Sequence, residues 1–79
     1  MNINKKIFEE IRKEMINEII REKDIINPKK HLLDYLQRLD AVELTKKYGC
    51  SLDEAIDTIE LLQKPDEVKK IIMMLELKL

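Results

Sequence analysis

A chain of 79 residues with one glycine and two prolines has almost no material for turns. Gly49, Pro28 and Pro65 are its only strong helix breakers, and between them apolar side chains recur every three or four positions. A many-stranded sheet needs turn residues at roughly every 8–12 positions, and this chain cannot supply them. The pattern therefore predicts an all-α fold: a compact bundle of four to five helices in a single domain, 1–79. At this length folding hides only about 60% of the surface that an unfolded chain exposes. A second copy would add stability, so a homodimer is expected.

Taken in order, the first helix is predicted over 3–26, with Ile3, Ile7, Phe8, Ile11, Met15, Ile19 and Ile26 within one broad face. Ile16 and Ile20, four apart, form a second stripe outside it. That width predicts that the helix pairs with a second copy of itself. Asn27-Pro28 ends it and opens the next, over 28–38, with Asn27 as N-cap and Leu32, Tyr35, Leu36 and Leu39 inward. Asp40-Ala-Val-Glu43 has the spacing of a capping box and starts either a short helix over 41–48 or a bend within one helix running 28–48. Gly49 then stops the chain in a left-handed conformation. Ser51-Leu-Asp-Glu54 is a second capping box. It opens a helix over 52–63 whose expected inward residues are Leu52, Ala55, Ile56, Ile59 and Leu62. Pro65, Asp66 and Glu67 give an acidic first turn to a last helix over 65–77. Val68, Ile71, Ile72, Leu75 and Leu79 line one side of that helix. Met73 and Leu77, four apart, point nearly the opposite way with Met74 beside them. Ile16, Ile20, Met73 and Leu77 are accordingly the expected dimer interface.

Residues 43–62 resemble a DNA-binding helix-turn-helix. Leu44 sits five residues before the glycine and small Thr45 four before it. Gly49 takes the turn, Cys50 falls where a small apolar residue is usual, Ser51 caps the second helix, and Ala55 and Ile59 take its inward positions. The resemblance implies a tri-helical core with Leu52–Leu62 as recognition helix in the major groove. The charges depart from that family. Such helices read bases with Arg, Lys, Asn, Gln, Ser or Thr, whereas this one exposes Asp53, Glu54, Asp57 and Glu60 and meets no basic residue before Lys64. Carboxylates are repelled by phosphate strands. DNA contact would then fall to Arg12, Lys13, Lys29 and Lys30. The run S-L-D-E-A-I also resembles the last helix of ubiquitin-associated domains, but the hydrophobic loop that precedes it in that family has no counterpart here.

Net charge is −1, near +2 over residues 1–38 and near −3 over 39–79. It gives no global pull toward nucleic acid or anionic lipid. The longest apolar run, 71–75, is far short of the roughly 20 residues that span a bilayer, and charge throughout the first 25 residues argues against a secretory signal. The single Cys50 forms no intramolecular disulfide and suits a reducing, cytoplasmic setting.

Catalysis needs tuned groups converging in a pocket. Cys50 next to a helix start has His31 as its only conceivable imidazole partner, and it reads as a small buried turn residue. His31 lacks neighbours at metal-ligand spacing. Asp53/Asp57 and Glu14/Glu18 read as solvated pairs on helix surfaces. The expectation is a small non-enzymatic interaction or regulatory module without a cofactor or metal. Asp53, Glu54, Asp57 and Glu60 would form its binding face for a basic partner protein; the alternative is a degenerate helix-turn-helix regulator.

Overall fold

The computed structural model describes residues 4–22 and 27–78. Five helices follow one another: α1 (Lys5–Arg21), α2 (Pro28–Arg38), α3 (Ala41–Tyr48), α4 (Leu52–Leu62) and α5 (Pro65–Lys78). No strand occurs among the described residues.

Side chains at the helix starts explain most of these boundaries. Asn4 Oδ1 accepts from the Lys6 and Ile7 N–H groups at 3.1 and 3.4 Å. Asn27 Oδ1 accepts from Lys30 N–H at 3.3 Å, with Pro28 in the first helical position. Asp40 accepts from Val42 N–H at 2.8 Å; it acts as a simple cap, without the reciprocal Glu43 bond of a box. Ser51 and Glu54 do form the full box, each side chain bonding the other's N–H at 3.1 Å. Such a cap contributes about 1 kcal/mol, a useful fraction of a small domain's stability. Gly49 closes α3 at φ 69°, ψ 22°, the left-handed conformation a side chain would strain.

Two expectations about helix length are settled. Leu39 and Asp40 are extended, so 28–48 is two helices. The first helix is shorter than 3–26: Glu22 takes φ −77°, ψ 101° and ends α1 at Arg21. Ile3, Ile26 and Leu79 lie outside the described residues.

At 17 residues, α1 is about 25 Å long, within a molecule whose extents are 35 × 23 × 19 Å. It packs against α2, α4 and α5, while α3 packs chiefly on α4. This arrangement accounts for the width of α1's apolar surface. Ile7, Phe8, Ile11, Met15, Ile16 and Ile19 are all buried, because neighbours cover the helix on more than one side. Ile16, expected on a dimer surface, is only 4% exposed within the single chain. Ile20 is half-buried against the same core. Ile16 is therefore enclosed by the chain's own helices, while Ile20 keeps part of its surface.

From the other helices, Leu32 and Leu36 of α2, Leu44 of α3, Ala55, Thr58 and Leu62 of α4, and Ile71 and Leu75 of α5 complete the core. Thr58 is its one buried polar residue among those described. Its hydroxyl donates to the Glu54 carbonyl one turn back at 2.6 Å, so it needs no partner from another helix. No helix among the described residues is long and apolar enough to cross a membrane.

Candidate interaction surface

The orientation of α4 decides what its surface displays. Ala55, Thr58 and Leu62, spaced three and four apart, are fully buried. Pointing them inward turns Leu52 and Ile56 out, to 49% and 41% exposure. This corrects the expectation that both face the core; of the other expected inward residues, Ala55 and Leu62 are buried and Ile59 is partly so. The 11-residue helix has apolar side chains around most of its circumference, and the fit of small Ala55 and Thr58 against neighbouring helices selects the buried side. Asp53 and Glu60 are exposed beside Leu52 and Ile56, while Asp57 and Glu54 are half-exposed. The Glu54 carboxyl sits below its ordinary value because it accepts from the Ser51 N–H, with the Ser51 hydroxyl adding to this. The face thus joins an apolar pair, one turn apart, to a row of carboxylates, and α4 contains no basic residue.

Of the four expected basic contacts, Arg12 has its partner within the fold. Arg12 Nη1 donates to Glu67 Oε1 at 3.0 Å, and its guanidinium lies 5.2 Å from the Phe8 ring centre. Its charge is spent within the fold, tying α1 to α5. Lys13 is exposed on α1, and Lys29 and Lys30 are exposed on the first turn of α2. Of the expected dimer residues, Met73 and Leu77 remain outward, at 57% and 87% exposure, with Met74 at 37%.

A polar seam between α1, α2 and α3 went unrecognised in the sequence. Glu14 accepts hydrogen bonds from the Tyr48 hydroxyl and from Lys47 Nζ, the latter at 2.9 Å. These bonds hold the Glu14 carboxyl below its ordinary value, Tyr48 contributing most. Burial, then Glu14 itself, pushes the Tyr48 phenol well up. One turn along, burial and then the Glu18 charge raise Tyr35. His31 Nδ1 lies 3.0 Å from Glu22 Oε2 beside an open cleft of about 480 Å³. The available signal was the run Glu14, Glu18, Glu22 at four-residue spacing. Its partners come from other helices, so spacing alone reads as solvated surface.

Tyr48→Phe is expected to cost about 1 kcal/mol near neutral pH, since it removes a hydrogen bond to a half-exposed carboxylate. The Glu14 contribution is present above its ordinary value of 4.5 and is lost as pH falls through the lowered folded value. The Tyr48 contribution is present below the ordinary phenol value of 10.0 and is lost as pH rises toward the folded value. Urea unfolding across pH should give a wild-type advantage that is flat between those limits and shrinks on both sides.

Cys50 is half-buried, with its thiol 3.7 Å from the Leu44 carbonyl. His31 instead pairs with Glu22. Among the described residues no group of three His, Cys, Asp or Glu side chains could hold a metal ion. No family model matches the chain, and no curated protein and no solved structure matches it.

Proposed function

We propose that this chain is a non-enzymatic interaction module whose α4 face receives a basic, amphipathic helical segment of a partner protein. One observation carries the reading: Leu52 and Ile56 are exposed one turn apart, beside the carboxylates of Asp53 and Glu60, on a helix without a basic residue. An apolar stripe on the incoming helix would cover Leu52 and Ile56. Lysines or arginines flanking that stripe would meet the acids, which speed encounter and fix orientation more than they add affinity.

The test is a titration of the labelled protein with a designed lysine-rich amphipathic helical peptide, followed by amide and methyl chemical shifts. Shifts should centre on 52–60. Ile56→Ala should weaken binding about fivefold, from roughly 1 kcal/mol of lost burial. The Asp53→Lys/Glu60→Lys pair should weaken it more than tenfold at low salt. Shifts elsewhere, or affinity indifferent to these changes, would remove the α4 face from consideration.

The alternative reading, a degenerate helix-turn-helix regulator, draws support from the packing of α3 on α4 around left-handed Gly49. The acids on α4 weigh against it. Fluorescence anisotropy of a random-sequence duplex at low salt separates the two, because even a specific reader has an electrostatic, salt-sensitive component. Binding that falls steeply with salt would favour the regulator over the module.

A further inference from the structure

Opposite its buried side, α5 presents Met73 and Leu77, one turn apart, to solvent. Next to them an open groove of about 610 Å³ runs between α5 and α2, with Leu33, Pro65, Val68, Ile72 and Met73 among its lining and Lys69 and Glu76 on its α5 side. Leu33 is 41% exposed there.

We propose that a second copy of the chain covers this surface, with the two α5 helices antiparallel about a two-fold axis passing between Ile72 and Met73. The order of charges along α5 carries the assignment. Lys69 and Glu76 are seven residues apart, two turns, and so lie on the same side of the helix. A two-fold axis between Ile72 and Met73 exchanges the two positions, so Lys69 of each copy stands level with Glu76 of the other. Met73 of each copy meets Ile72 of the other, beside the Leu33 wall. A parallel pairing would instead bring Lys69 and Lys70 of both copies to one level and both Glu76 side chains to another. Burial of Met73 and Ile72 beside Leu33 drives association, and methionine suits such a contact because its side chain adapts to irregular surfaces. The Lys69–Glu76 pairs, on the strip of α5 between Ile72 and Met73, select the direction more than they add affinity. A two-fold contact of this kind is self-limiting and stops at the dimer. Lys29 and Lys69 also make this groove a poor seat for the basic segment assigned to α4, so the two surfaces are independent.

Sedimentation equilibrium of the full chain should show a concentration-dependent monomer–dimer equilibrium. Met73→Asp should raise its dissociation constant at least about a hundredfold, since it places two carboxylates in one apolar contact. Helical circular dichroism should be unchanged, because Met73 lies outside the core. Direction is read by cross-linking in a Cys50→Ser background with a short bis-maleimide. Lys69→Cys mixed with Glu76→Cys should give a cross-linked heterodimer, and Lys69→Cys alone should give none. A strict monomer at millimolar concentration, or a dimer indifferent to Met73→Asp, overturns the proposal. So does a dimer that cross-links through Lys69→Cys alone. Peptide binding to α4 is measured on the Met73→Asp protein, so either proposal can fail without the other.

Discussion

Leu75→Ala is expected to lower the free energy of unfolding by about 3 kcal/mol, and Leu77→Ala by less than about 0.5 kcal/mol. The two leucines sit two positions apart on α5, in the same chemistry and the same local helix. Leu75 is fully buried where α5 meets α1, α2 and α4, and truncating it leaves a cavity that surrounding helices fill only in part. Leu77 is 87% exposed and touches little. A domain of this size has a total stability on the order of 4–12 kcal/mol, so the first change removes a large share of it. Urea unfolding in the Met73→Asp background keeps self-association out of the comparison, because assembly stabilises by mass action. Equal costs at the two positions would mean that α5 is rotated from the orientation described.

Arg12→Ala is expected to cost about 2 kcal/mol, while Lys13→Ala should cost less than about 0.5 kcal/mol. Arg12 holds Glu67, whose side chain is only 12% exposed, and it also lies over Phe8. Removing the guanidinium strands a largely enclosed carboxylate, and that penalty exceeds the worth of an ordinary surface pair. A double-mutant cycle with Glu67→Gln should return a coupling of about 1 kcal/mol or more. Zero coupling would show that Arg12 acts through packing on Phe8 alone. Lys13, the next residue along, is exposed, so the contrast separates a lysine free to meet an outside anion from an arginine committed to the fold.

Much of the helix layout was legible because it is written in local chemistry. Asn27-Pro28, Ser51 with Glu54, and Gly49 each act within four residues, so their meaning survives without knowledge of the fold. The end of α1 was not legible, since no proline or glycine marks Glu22. The direction of α4 was not legible either. Leu52, Ala55, Ile56, Ile59, Leu61 and Leu62 leave no clean polar side, and which half goes inward depends on how closely Ala55 and Thr58 let the neighbouring helices approach. Thr58 was not among the expected inward residues, and its burial rests on a hydroxyl satisfied by its own backbone, a bond invisible to spacing. Ile16 misled for the converse reason: a second apolar stripe signals a second neighbour, and here that neighbour belongs to the same chain. The acidic character of the candidate surface, by contrast, was readable directly, since nothing inside α4 offsets its carboxylates.

The placement of α3 has a consequence for how the molecule comes apart. This helix has eight residues and buries one side chain, Leu44; it rests on α4, and its tie to α1 runs through the Glu14 carboxylate held by Tyr48 and Lys47. The central helices are joined chiefly by interlocking apolar side chains, with the Glu67 carboxylate also bridging α5 to Arg12 of α1. Acid strong enough to protonate Glu14, below its ordinary carboxyl value, should loosen the polar tie of α3 to α1 and leave α3 resting chiefly on α4.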